Sequence, residues 1–259
     1  MRAEDFDLLY KLEEDYWWFV AMRQIADTIT ARELQIPNIR ILDAGCGTGF
    51  NLGHYAAHDV YGLDVTMDAL ECVRKRGFEK ITQASVTDIP FASGAFDLVF
   101  SFDVLPQVPP GMDIPSISEM HRVLKPGGHL FVRAAAFEWL RSSHDEELHT
   151  MHRFTRPELV EKLRGAGFEV EWSSYANGFL FPVILVRRFL KHAGIGKGTD
   201  VRPLPRGLGW LDSIFRNVLS GEAGWFKSKR TLPFGLSVIC YARKPLPLGE
   251  ADARFSRVG

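Results

Sequence analysis

Asp43, Gly45, Gly47 and Gly49 fall within seven residues, in the run Ile41-Leu42-Asp43-Ala44-Gly45-Cys46-Gly47-Thr48-Gly49. An apolar pair ends a buried strand, a carboxylate follows, and alternate glycines make a turn. Glycine takes positive φ and has no Cβ, so a ligand can approach this backbone closely. Phe50-Asn51-Leu52-Gly53-His54 then opens a helix whose first amides point back at the same place,. Strand, glycine turn and helix together are the nucleotide-binding corner of a doubly wound α/β sheet. Tyr61-Gly62-Leu63-Asp64 adds a second short strand ending in an acid, 19 residues beyond Gly45. A carboxylate at that interval reaches the vicinal hydroxyls of a ribose. The competing role for Asp64 is an N-cap before Met67-Asp68-Ala69-Leu70,.

The spacing narrows the ligand. Dinucleotide folds use G-x-G-x-x-G, with a third glycine under the pyrophosphate. Here the pattern is G-x-G-x-G, and Phe50 stands where that glycine would fall. Asp43, two residues ahead of the turn, would repel a pyrophosphate and attract a cation. S-adenosylmethionine, with an ammonium and a sulfonium, suits an acid there; an oxidoreductase is disfavoured. Cys46 reads as a small residue fitting the turn.

The elements that must hold these residues follow in order. The run Ile81-Thr82-Gln83-Ala84-Ser85-Val86-Thr87-Asp88-Ile89-Pro90-Phe91 carries strand three, and Phe96-Asp97-Leu98-Val99-Phe100-Ser101 reads as strand four. A helix running through Glu119-Met120-His121-Arg122-Val123 is expected to stop at Pro126-Gly127-Gly128, before strand five at His129–Arg133,. Thr155 with Pro157 starts a helix that Gly165-Ala166-Gly167 ends,. Phe168–Trp172 alternates as strand six, and Leu236–Arg243 reads as the last strand.

The motifs LDAGCGTG, GLD, DIPF, FDLVFS and RVLKPGG, in this order and spacing, resemble the class I S-adenosylmethionine-dependent methyltransferases of the broad small-molecule type, over about residues 38 to 135. The resemblance implies a Rossmann-like, doubly wound seven-stranded sheet whose last strand is antiparallel. An N-terminal helix and a helical insertion before that strand would complete it. The expected divisions are a cap at 1–37, a cofactor-binding domain at 38–178 and 234–245, a basic amphipathic lid at 179–233 and a tail at 246–259. Asp43 and the Gly45–Gly49 turn would hold the methionine end, Asp64 the ribose, and Ser85, Val86 and Asp88 the adenine. Cys46, Asn51, Val65, Met67, Ser101 and Phe102 complete the expected cofactor set. Relatives commonly carry an acid where Ser85 stands, and many show Glu-His after the fourth strand, where this chain reads Asp103-Val104-Leu105-Pro106-Gln107-Val108. Gln107 cannot act as a base and is kept as a substrate contact.

A base must then come from elsewhere. Three of eight histidines, His144, His149 and His152, fall within nine residues after strand five, where open α/β sheets present ligand-facing loops. Imidazole titrates near neutral pH, so His152, then His149 and His144, are the catalytic candidates, with Asp145 and Arg153 as substrate contacts. A solvated, charged helix start explains the same cluster, and its spacing matches no standard metal site, so no metal is assigned. Tyr16-Trp17-Trp18-Phe19 precedes Arg23. Tyr16, Trp17 and Arg23 are expected cofactor or lid contacts, although core packing accounts for at least two of the four aromatics.

The whole chain is near neutral at −1, with 46% hydrophobic residues. Between 179 and 232, however, ten Lys and Arg face three acids. With Phe179–Val186 and Leu208–Leu219 as amphipathic runs, this segment reads as a lid, a dimer face, or a peripheral membrane contact through 179–219. Confinement of the basic charge to one segment disfavours nucleic acid. Cys46, Cys72 and Cys240 form no pairing pattern, which suggests a reducing compartment. The N-terminal stretch is too charged and aromatic for a signal peptide to be expected, and no apolar run reaches the roughly 18–20 residues that span a bilayer. The sequence therefore predicts a cytoplasmic enzyme, monomeric or homodimeric, of the kind found in bacterial secondary metabolism. It would methylate O, N or C of a small-molecule acceptor, anionic or lipid-linked. The alternative is a non-catalytic S-adenosylmethionine-binding partner or regulatory protein.

Overall fold

Apolar side chains alternate between two faces along every long strand, so this sheet must be covered on both sides. A computed structural model describes residues 3–142, 145–146, 148–183, 185 and 209–247. Its strands are β1 (Arg40–Ala44), β2 (Asp59–Asp64), β3 (Ile81–Gln83), β4 (Phe96–Phe102), β5 (Leu124–Ala135), β6 (Glu169–Ala176) and β7 (Ser237–Arg243). They form one sheet in the order β3-β2-β1-β4-β5-β7-β6. β7 runs antiparallel to β5 and β6, and the pairs from β3 through to β5 are parallel. This is the seven-stranded, doubly wound sheet with an antiparallel last strand that the sequence implied. His144 and residues 186–208 lie outside the described residues.

The described helices are α1 (Ala3–Leu12), α2 (Trp17–Ile29), α3 (Ala31–Leu34), α4 (Phe50–His54), α5 (Met67–Lys75), α6 (Asp113–Val123), α7 (Arg156–Gly165) and α8 (Gly209–Lys227). Leu42, Val99, Leu130, Val132 and Cys240 pack on one face with Ile117, Met120, Leu159 and Leu163 of α6 and α7. Ile41, Leu98, Phe100, Phe131 and Ile239 pack on the other with α2 and α8. α4 and α5 cover the β1–β2–β3 end through Leu52, Leu70 and Val73. α1 lies on α5 through Phe6, Ala69 and Cys72.

Local sequence explains most boundaries. At α7, the Thr155 hydroxyl accepts from the Glu158 amide while the Glu158 carboxylate accepts from the Thr155 amide, a reciprocal cap beside Pro157,. α6 ends at Val123, earlier than Pro126. Lys125–Gly128 then enters β5 as extended chain, and Lys125 Nζ meets both Asp97 oxygens at 2.8 Å.

Trp17 is buried and meets Phe215 of α8 with ring centroids 5.3 Å apart. Within the 179–233 insertion, α8 covers the sheet. Leu219, Ala223 and Phe226 are buried against α2 and the sheet, and Ser220 Oγ donates to Gln24 Oε1 at 2.6 Å. An apolar stripe of this length needs an apolar surface to cover, and α2 together with β6 and β7 supplies it.

A buried carboxylate fixes α8 in that layer. Glu222 accepts the backbone amides of Asn177, Gly178 (2.9 Å) and Phe179 (3.1 Å), just past the end of β6. Removing it leaves two buried donors and one part-buried donor without an acceptor. Glu222→Ala should therefore cost about 2–3 kcal/mol in urea unfolding, and a loss below half a kcal/mol would show the contact to be idle.

Candidate functional site

The carboxyl ends of β1, β2, β4 and β5 define one edge of the sheet, and the glycine turn leaves β1 there. Asp43, one residue before the end of β1, is 1% exposed. Neither of its oxygens has a hydrogen-bond partner. Burial pushes its carboxyl up to about 8, and the nearby charges of Glu13 and Asp64 push the same way. The Asn51 side chain and Arg133 oppose the rise, without satisfying either oxygen. Orphaned buried polar atoms are rare and costly. A carboxylate left bare among two other acids fits a ligand that brings positive charge.

The three glycines, read alike from the sequence, differ in the structure. A Cβ on Gly45 would sit 2.2 Å from Val104 Cγ2, and one on Gly49 would sit 2.8 Å from Val73 Cγ2. Gly47, with φ of 52°, has nothing within 4 Å of that position. Gly45 and Gly49 therefore serve packing, and Gly47 is the residue whose backbone lies open. Cys46 is buried beneath the turn, and burial pushes its thiol well up, as expected of a packing residue.

Asp64 ends β2 with both oxygens engaged: Oδ2 accepts from the Gly47 amide at 3.0 Å and Oδ1 from the Thr66 amide at 2.9 Å. It thus sets the shape of the glycine turn and keeps lone pairs for a diol. It does not cap α5, whose N-cap position is Thr66. Val65 and Met67 beside it are exposed. Ser85 Oγ is paired with Thr87 Oγ1 at 2.7 Å, Val86 is buried, and Asp88 follows with its amide on the Ser85 carbonyl.

Residues that no motif marks complete the wall. Glu13, between α1 and α2, accepts a hydrogen bond from the Thr48 hydroxyl within the glycine turn. It also pairs with Arg76 at 3.6 Å. Arg76 in turn donates to the Thr48 carbonyl (3.0 Å) and the Tyr10 carbonyl (2.9 Å). Phe50 lies between the Arg23 and Arg76 guanidiniums, at 4.1 Å and 5.2 Å from the ring centre. Arg23 is thus brought beside Phe50, the first residue after the turn, whereas Tyr16 is buried in the α2 core. Trp18 is the aromatic that reaches the sheet edge, over Arg133 at 4.7 Å. Glu13 stood in an acidic run ahead of the aromatics, a weak signal; Arg76 carried none.

At the end of β4, Ser101 is buried with an unpartnered hydroxyl, and Phe102 stacks on Phe100 at 5.1 Å. Asp103, at φ 58°, takes Arg133 Nε at 2.8 Å. Gln107 Nε2 donates to the Asp103 carbonyl at 3.1 Å. The Met151 and His152 amides donate to the Pro106 carbonyl at 2.7 and 3.2 Å, which brings the histidine segment beside Gln107. His152 Nε2 lies 2.7 Å from Glu158 Oε1. His149 is exposed at φ 54°. Asp145 and Arg153, expected as substrate contacts, are buried and paired with each other at 2.7 and 3.1 Å, and Arg153 also donates to the Ala136 carbonyl. That pair braces the loop. Among the described residues no cluster of three metal-ligating side chains forms.

Residues 42–132 match the family model described as a methyltransferase domain. The chain is 30% identical to a probable S-adenosylmethionine-dependent methyltransferase of Mycolicibacterium smegmatis, over 61% of this chain and 62% of that protein. It is 31% identical to a malonyl-[acyl-carrier protein] O-methyltransferase of Enterobacter lignolyticus, over 55% of this chain and 60% of that one. In both cases the match spans less than two thirds of the relative's own length. The fold is similar to that of a methyltransferase chain from the Haloferax volcanii complex with the Trm112 activator. There the TM-score is 0.58, the identity 20%, and the coverage 93% of this chain and 96% of that one.

The raised Asp43 carboxyl gives two pH effects. Its folded value exceeds the ordinary value, so its contribution to stability is full below about pH 4 and fades as pH rises through about 8,. A cationic ligand that needs the ionised form should bind about tenfold more weakly for each pH unit below 8. Calorimetry at pH 7 in buffers of differing ionisation enthalpy should register up to one proton released with S-adenosylmethionine. Asp43→Asn should remove both the release and the slope. The glycines make a paired prediction. Gly45→Ala should cost about 2 kcal/mol or more of stability. Gly47→Ala should cost about 1 kcal/mol, through strain alone, yet weaken the ligand; equal thermal losses would contradict the assignment.

Proposed function

We propose, since residues 42–132 match the family model described as a methyltransferase domain, that this chain is a class I S-adenosylmethionine-dependent methyltransferase, which binds S-adenosylmethionine at the glycine turn and transfers its methyl group to a small-molecule or lipid-linked acceptor. The observation that carries this reading is the orphaned, buried Asp43 carboxylate between Glu13 and Asp64. Asp43 and the Gly47 backbone would hold the methionine end, Asp64 the ribose, and the Ser85–Asp88 segment the adenine. Residues 38–178 with 234–245 are the proposed binding domain, and 1–37 its cap. Likeness to a malonyl-[acyl-carrier protein] O-methyltransferase supports an oxygen acceptor on an acyl group.

When bound, the cofactor supplies a methyl group already activated on a sulfonium. The protein's own residues then have three tasks. The glycine turn, Asp64 and the Glu13–Thr48 contact fix orientation, which can supply much of the acceleration. Trp18, Phe102 and the α2 layer exclude water from the sheet edge. An oxygen or ammonium acceptor must also lose a proton. The Glu158 carboxylate can only accept, so it holds the proton of His152 on Nε2,. The neutral ring then keeps a lone pair on Nδ1, and His152 becomes the proposed base, oriented by Glu158.

Formation of S-adenosylhomocysteine should be followed with S-adenosylmethionine and a panel of acyl, phenolic and amine acceptors. Asp64→Asn should raise the S-adenosylhomocysteine Kd by about 10- to 100-fold, through loss of charged hydrogen bonds. His152→Gln should leave that Kd unchanged and lower turnover of an oxygen acceptor by about a hundredfold or more. Tight binding without turnover on any acceptor would favour a binding partner without chemistry of its own.

A further inference from the structure

Past the carboxyl ends of β5 and β6 lies a run of aromatic rings that the methyl-transfer reading does not use. Phe137 leads to Trp139, with ring centroids 5.7 Å apart. Trp139 meets Phe181 at 6.2 Å, and Phe181 meets Phe234 at 5.3 Å. Gly178 backs onto the Phe234 backbone, and its neighbour Phe179 meets Trp225 at 6.4 Å. The patch is therefore continuous from the end of β5, past the end of β6 and the approach to β7, to the end of α8. Four of its rings are exposed, Trp139 by 62%, Phe234 by 44%, Phe179 by 41% and Trp225 by 38%, whereas Phe181, which links Trp139 to Phe234, is buried and Phe137 is half-buried.

Cationic side chains rim it. Arg230 lies over the Trp225 ring at 4.6 Å, and Lys227 and Arg230 are themselves exposed. A contiguous exposed apolar surface on a soluble fold marks an interaction site. Aromatic rings level with basic side chains are the combination suited to a bilayer interface: rings enter the headgroup region while cations meet anionic lipid. No described helix is long and apolar enough to cross a membrane, so such contact would be lateral.

From this juxtaposition we infer that the exposed surface of Trp139, Phe234, Phe179 and Trp225, with Lys227 and Arg230, docks the protein on an anionic lipid bilayer. Docking in this pose turns the carboxyl edge of the sheet toward the membrane, so that an apolar acceptor can enter from the lipid. The inference does not depend on methyl transfer, because the surface lies outside the glycine turn.

Full-length protein should be floated with vesicles of phosphatidylcholine alone and of phosphatidylcholine with phosphatidylglycerol in equal parts. Binding is expected on the anionic vesicles and should weaken with added salt. Arg230→Gln should lower partitioning by about fivefold, the effect of one near-surface cation. The double variant Trp139→Ser with Phe234→Ser should lower it by about tenfold or more. Both variants should keep the wild-type melting temperature and S-adenosylhomocysteine affinity. If the wild type binds no S-adenosylhomocysteine, melting alone serves as the fold control and the docking result still stands. Absence of binding to either vesicle, equal binding to both, or a concentration-dependent dimer abolished by the double variant in place of vesicle binding would each overturn the inference.

Discussion

The structure turns on one unsatisfied buried acid. Asp43 is the fourth residue of the first strand in a sheet covered on both faces, and its carboxyl has no partner of its own. A protein tolerates such a group when a ligand completes it, because burying an unpartnered polar group is otherwise expensive and ionising it there more so. Neighbouring features lean on the same point. Asp64 shapes the glycine turn from the next strand, Glu13 reaches the turn from outside the sheet, and Arg133 provides distant compensation. The edge is pre-organised around a cation that the polypeptide itself does not provide.

Arg76 organises the other half of this arrangement. From the residue after α5 it holds the Thr48 and Tyr10 carbonyls, pairs with Glu13, and faces the Tyr10 ring at 3.9 Å. One guanidinium thereby joins α1, the α1–α2 connection and the glycine turn. A planar fork with five donors can do this where a lysine could not. The α2 layer is secured separately, by Trp17 on Phe215 and by the contacts of α8 with α2 and the sheet edge.

What the sequence revealed, and what it hid, follows the range of each interaction. The glycine turn, Asp64, the strand series and the Thr155 cap are local patterns, and each is found where its residues predicted. Cap and strand periodicity need only neighbours within four residues. Glu13 meeting Thr48 spans 35 positions and Glu222 meeting Asn177 spans 45, so neither had a local signature. Side-chain competition misled the reading of Asp145 and Arg153, whose charges suggested a substrate and whose geometry satisfies each other. The Trp-Trp pair shows the same limit. Helical spacing tells which residues share a face, whereas the partner, Phe215, comes from almost 200 residues away. Likewise, an amphipathic stripe predicted that α8 would cover something without saying what.

The position of β7 has a consequence for biosynthesis. It inserts between β5 and β6 although it follows both in the chain. Until residues 237–243 leave the ribosome, β5 and β6 each present an unpaired edge, and the apolar side chains destined for β7 have no cover. Exposed strand edges of this kind recruit other chains. The nascent protein therefore passes through a prolonged sticky interval that ends with a single strand sliding home. Chaperone capacity and translation pace through the codons of β7, more than the finished fold's stability, would then govern how much of the protein a cell recovers.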